Sequence, residues 1–223
     1  MRLGRRWATG LLEAVFPPRC CACDAVGRAP FCAVCAEATA PVGSLPPRAP
    51  LEAVFAAWAY GGPVEEAVVA LKGGRVFVGP LLGSALAAFA DRFEPDRVVA
   101  VPASPARLVE RGFSPAREIA RGLGRRLPSG VAFRVRDRPR QTGLPRGERL
   151  VNPIGAFGAD PAEVRGRRVL VVDDVLTTGA TVAALAQALI GAGASCVAAA
   201  VVAASRPEPA AEPEPPRGGA GDG

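Results

Sequence analysis

Residues 169–172 read Val-Leu-Val-Val, an unbroken aliphatic run that stops on Asp173 and Asp174. A strand apolar on both faces needs cover on both, as a central strand of a parallel sheet between helices has. Other stretches agree. Residues 54–60, 98–101 and 196–203 read as strands, and residues 131–135 (Val131, Phe133, Val135) as a strand with one exposed face. Between them lie helix-period segments. One follows Pro63, with Val64, Val68 and Leu71 on a face and Gly73 at its end. A second carries Leu81, Leu82, Ala85, Leu86 and Phe89; a third starts at Ser114-Pro115; a fourth covers residues 181–190. Strand–helix alternation of this kind predicts an α/β fold, a mostly parallel sheet with flanking helices. Aromatics make up only 5% of the 223 residues, so the core must rest on Val, Leu and Ala.

The composition divides the chain. Residues 1–16 have apolar spacing suited to a short amphipathic helix, too short to span a bilayer. Residues 17–40 hold five of the six cysteines and predict a small N-terminal zinc-ribbon-like module. A Pro-rich linker is expected over 41–50, the main domain over 51–205, and a disordered tail over 206–223, where Pro, Glu and Gly prevail. The uncharged stretch 175–205 is long, but Gly191-Ala192-Gly193 breaks it into helix, turn and strand. The expectation is therefore no membrane insertion and a cytoplasmic protein.

There is no histidine. Serine triads of the usual kind, Cys–His pairs and imidazole bases are thereby excluded. Chemistry must run on carboxylates, arginine, main-chain amides, a metal or the substrate's own charge. The net charge is +6 and Lys72 is the only lysine, so the positive charge is almost wholly guanidinium, which suits phosphate. The arginines of 134–149 read mostly as solvated loop residues.

Cys20-x2-Cys23 and Cys32-x2-Cys35 are two knuckles of the kind that close a structural Zn2+ site with four thiolates. Disulfides are the rival, favoured in exported proteins. Cys21 stands beside Cys20 as an alternative ligand, though Cys21-x-Cys23 is the less usual spacing.

After the aliphatic run, Asp173-Asp174-Val175-Leu176-Thr177-Thr178-Gly179-Ala180-Thr181 brings two carboxylates to a strand end, then a tight hydroxyl- and glycine-bearing loop, then a helix. Ligands of open α/β sheets bind at such strand ends. Loop amides, threonine hydroxyls and the helix dipole together suit a phosphate.

This string resembles the diphosphoribosyl-diphosphate (PRPP) signature of type I phosphoribosyltransferases. Val101-Pro102-Ala103-Ser104 is similar to that family's pyrophosphate loop. Arg111-Gly112-Phe113, Gln141-x2-Leu144, Arg149-x2-Asn152 and Gly155-Ala156-Phe157 resemble the competence protein F (ComF/GntX) subgroup. The resemblance implies a type I phosphoribosyltransferase-like domain that binds PRPP or a nucleoside monophosphate with Mg2+. It places Asp173 and Asp174 on the ribose hydroxyls, where they steady positive charge on the ring. Thr177, Thr178, Gly179, Ala180 and Thr181 would hold the 5-phosphate, and Ala103 and Ser104 would face pyrophosphate, with Arg111 and Arg149 as further ligand-binding residues. The acceptor has no motif. The subgroup also implies a second role, a non-catalytic accessory in DNA uptake or replication restart, with a DNA helicase and single-stranded DNA as partners. The chain departs from the subgroup at Ser114-Pro115, where Asn-Gln is usual, and at Arg138, where Thr is common.

Overall fold

The computed structural model describes residues 17–27, 29–124, 131–135 and 155–205. The expected N-terminal helix, the tail, Arg149 and the motif residues Gln141, Leu144 and Asn152 lie outside them.

A five-stranded sheet has the order β1-β2-β7-β6-β3. Its strands are β1 (Pro41–Leu45), β2 (Ala53–Ala59), β3 (Arg97–Ala100), β6 (Arg168–Leu176) and β7 (Cys196–Ala204). β2, β7, β6 and β3 run parallel; β1 is antiparallel to β2. As the aliphatic run requires, β6 is interior and Val169, Leu170, Val171 and Val172 are fully buried. β4 (Ala132–Arg134) and β5 (Phe157–Ala159) form a separate antiparallel pair.

Helices cover both faces. On one face lie α2 (Gly62–Lys72), α3 (Val78–Gly83), α4 (Ala87–Phe93) and α6 (Pro115–Arg121), packed with Leu170 and Val172. On the other, α8 (Ala180–Gly191) packs with α7 (Pro161–Val164), β5, Val169 and Val171. The second helix after β3 (α6) and the helix that follows β6 (α8) thus lie on opposite faces, which makes the β3–β6 boundary a topological switch point. β3 ends at the level of Val172, whereas β6 continues beside β7 to Leu176. The four residues after Val172 therefore overhang the end of β3.

Two expectations change. The segment 41–50, read as a linker, begins with strand β1; an edge strand tolerates Pro41 because its N–H is not needed. The stretch from Leu81 to Phe89 is not one helix: a 3-10 turn, Ser84–Leu86, separates α3 from α4. The cysteine segment packs onto the main domain. Cys20, Cys21, Phe31 and Cys35 join the main core, and Phe31 meets Trp58 edge to face at 5.2 Å. Asp24 is ion-paired to Arg75, just beyond α2.

Candidate functional site

The overhang carries the acid pair. Residues of a strand alternate between faces. Val172 packs on the α2 face, and Asp174 points that way, to Lys72 of α2. Both acids are half-buried. Their oxygens are partly engaged by the main chain: Asp174 N–H donates to Asp173 Oδ1 at 2.9 Å and Val175 N–H to Asp174 Oδ1 at 2.7 Å.

Two cations that sequence reasoning passed over act on the acid pair. Lys72 Nζ, in the last turn of α2, lies 2.8 Å from Asp174 Oδ2. The charge of Lys72, and after it that of Arg134 on β4, also acts on Asp173. Desolvation, reinforced by the neighbouring Asp174, nevertheless raises Asp173 to about 7. Burial and the nearby carboxylates of Glu65 and Asp174 also push the Tyr60 phenol up.

Beyond Leu176 the chain turns into α8. Thr177, Thr178, Ala180 and Thr181 are exposed, so this loop opens outward rather than packing against the protein. Gly179, the N-cap of α8, has φ +77°, a conformation that glycine adopts without strain. Thr178 Oγ1 accepts from Ala180 N–H at 3.3 Å. The remaining amides of the first turn of α8 have no carbonyl within their own helix and point out of its positive end.

Across the crevice, Pro102, Ala103 and Ser104 leave β3 half-buried, and Ser104 Oγ caps α5 (Pro105–Arg111) by accepting from Arg107 N–H at 3.4 Å. Arg111 sits half-buried in the last turn of α5. The guanidinium that braces this turn is that of Arg134: its Nε donates to the Pro102 carbonyl at 2.8 Å, and it lies 4.8 Å over the Phe157 ring. A cavity of about 240 Å3 continues behind the turn along β3, bounded by Val99, Ala103, Ser114, Arg117 and Val131.

Sequence offered faint signals for these cations. Lys72 directly follows the buried stripe of α2, and Arg134 alternates with exposed Phe133 and Val135. Of the predicted ligand residues, the fold brings Asp173, Asp174, Ala103, Ser104 and the 177–181 loop to the C-terminal ends of the adjacent strands β3 and β6.

The cysteines form a second centre. The ligand atoms of Cys20, Cys23, Cys32 and Cys35 all lie within 4.8 Å of one another. The first knuckle is a tight turn closed by Cys20 N–H to Ala25 O at 2.9 Å; the second lies at the start of α1 (Ala33–Glu37), with Cys32 at its N-cap. The Cys23 and Cys32 sulfurs are 3.7 Å apart, against about 3.8 Å for the edge of a tetrahedron with 2.3 Å Zn–S bonds. The donor set thus fits a closed structural zinc site. Burial works against ionising Cys20, but the amides of Cys32, Cys23 and Ala22 outweigh it and lower the thiol to about 6. Cys35 is raised to about 12, by burial and then by the thiols around it. Cys21 is outside the cluster, buried in the core, and raised to about 12 chiefly by that burial. No helix among the described residues is long and apolar enough to cross a membrane.

A family model described as the phosphoribosyl transferase domain matches residues 92–219, more than half of the chain. The DNA utilization protein YhgH of Escherichia coli strain K12 is 38% identical over 107 residues, 46% of this chain and 47% of that protein. The chain spans about half the length of such curated relatives. Adenine phosphoribosyltransferase of Nocardia farcinica is 65% identical over 40 residues, 18% of this chain and 21% of that one. A solved structure, that of the allosteric regulatory enzyme of purine biosynthesis, aligns with 56% of this chain and 25% of its own at 25% identity and a TM-score of 0.39.

Proposed function

The chain belongs to the phosphoribosyl transferase domain family, and on that premise we propose that the β3–β6 crevice binds PRPP or a nucleoside monophosphate. The observation that carries this reading is the outward-facing loop 177–181 directly beyond the half-buried acid pair. The loop amides and Thr177, Thr178 and Thr181 take the 5-phosphate. Asp173 and Asp174 meet the ribose hydroxyls and offset the positive charge that grows on the ring as its C1 bond breaks. Ala103 and Ser104 face the pyrophosphate, with the turn held by Arg134.

The crevice offers carboxylate and hydroxyl oxygens, the hard donors that suit Mg2+. Bound with the ligand's pyrophosphate, that ion would supply charge neutralisation for the leaving group. The four-cysteine cluster holds zinc in a structural role. Calorimetric titration with PRPP and Mg2+, together with a pyrophosphate-release assay across nucleobases and amines, tests the reading. Saturable binding supports it; absence of binding to PRPP and to nucleoside monophosphates overturns it.

The Escherichia coli relative is named a DNA utilization protein, which supports a second reading, an accessory that works with DNA; on this reading the crevice binds without turnover. It expects ligand binding without pyrophosphate release, and single-stranded DNA binding that weakens steeply with salt.

A further inference from the structure

Two adjacent carboxylates at the mouth of an anion site pose an electrostatic problem. A sugar phosphate brings about two negative charges of its own, and bare acids would repel it. A divalent ion is one remedy, because bound cations are often the largest charges in such a site. This fold contains another. Lys72 acts on both acids, and Arg134 adds to its effect on Asp173. Lys72 reaches Asp174 from α2 at 2.8 Å, with side chains only 32% and 16% exposed. Arg134, from β4, acts on Asp173 while bonded to Pro102 O. The end of α2 is itself anchored, since Arg75, three residues beyond Lys72, pairs with Asp24 of the cysteine segment.

We propose that Lys72 is a built-in counter-ion of the acid pair, so that the ribose 5-phosphate end of the ligand binds without a divalent cation. The metal requirement is then confined to the pyrophosphate end. This inference rests on the phosphoribosyl reading above and specifies how that site manages charge. Lys72 acts through Asp174 as a positioning residue.

Lys72 is the only lysine in the chain, which makes the test clean. Ribose 5-phosphate is titrated into the full-length protein in EDTA, at a level at which metal analysis shows the four-thiolate zinc retained, and again in excess Mg2+. Wild type binds equally in both, within about twofold, whereas Lys72→Met loses about tenfold or more in EDTA and regains most of it with Mg2+. Lys72→Arg behaves as wild type. Should Lys72→Met fail to fold, folded wild type acetylated at Lys72, with the site verified by peptide mass, must show the same metal dependence, and reductive dimethylation, which keeps the charge, must not. Wild type that binds only with Mg2+, or a neutralised Lys72 that leaves binding in EDTA unchanged, overturns the counter-ion role alone. Wild type that binds ribose 5-phosphate in neither buffer overturns the site reading along with it.

Discussion

Arg48 donates from Nη1 to the Thr178 carbonyl at 3.0 Å, although the two residues are 130 positions apart. The same guanidinium lies over Gly179, where an added Cβ would come within 3.3 Å of it. Arg48 follows β1, which in turn follows the second cysteine knuckle, so the phosphate loop is tethered from the N-terminal segment. An exposed hydrogen bond of this sort contributes about 0.5–1.5 kcal/mol. Arg48→Ala is therefore expected to leave the melting temperature nearly unchanged while weakening ribose 5-phosphate binding by roughly three- to tenfold. Equal affinities for variant and wild type in calorimetry would remove the tether from the account.

Asp173 gives the protein a pH-dependent cost. Its carboxyl titrates near 3.8 in an open chain and is raised to about 7 in the fold, by burial first and Asp174 second. As pH rises, the unfolded chain releases this proton earlier than the folded one. The contribution of Asp173 to stability is thus complete below about pH 4 and is lost as pH climbs through about 7. Asp173→Asn keeps the Oδ1 acceptor for Asp174 N–H and removes the charge. It should be more stable than wild type at pH 8, by roughly 1–3 kcal/mol after allowance for partial solvation, and similar at pH 4. Urea denaturation at the two pH values checks this, and a gap that widens on acidification contradicts it.

The sheet and its acidic tip were legible because they follow from short-range pattern. A run such as 169–172 has no stable place except between two covered faces, and Gly179 marks a turn that few other residues allow. The counter-ions were not legible. Lys72 meets Asp174 only because α2 crosses the face to which Asp174 alternates, a long-range register that no local window contains. Arg134 is one of several arginines in its stretch; its bond to Pro102 O depends on β4 running beside the end of β3. Spacing left Cys20 and Cys21 nearly equivalent. Both are buried, but the turn closed on Ala25 aims the Cys20 sulfur into the cluster and leaves Cys21 outside it.

The cysteine cluster ties metal content to the packing of Trp58. Cys20 and Cys35 share a core with Phe31, which meets Trp58 edge to face. Zinc contributes on the order of 10–16 kcal/mol in small four-ligand modules, far more than this short segment buries by itself. Purified protein should carry one zinc per chain. Cys35→Ser should lose it, lower the melting temperature by about 5 °C or more, and red-shift the Trp58 fluorescence. A Trp7→Phe background isolates that signal, since the chain has two tryptophans. If Cys35→Ser keeps both its zinc and its spectrum, the four-thiolate assignment fails.

Glycines fix where α6 lies, and with it the outer wall of the crevice. α3 and α6 touch backbone to backbone: a Cβ on Gly83 would stand 1.9 Å from the Ile119 carbonyl oxygen, and one on Gly122 2.2 Å from that of Pro80. Neither obstacle is a flexible side chain, so no rotamer change relieves the clash and the helices must separate. Gly83→Ala and Gly122→Ala should each cost about 3 kcal/mol or more. Gly191, at the end of α8, is the control, because a Cβ there meets nothing within 4 Å. Its replacement by alanine should be neutral or stabilising by up to about 1 kcal/mol, through helix propensity and a less flexible unfolded chain. The opposite signs of these substitutions, read from urea midpoints at one pH, separate close backbone approach from a general intolerance of Gly→Ala. Should Gly83→Ala prove as mild as Gly191→Ala, α3 and α6 do not cross at the contact described.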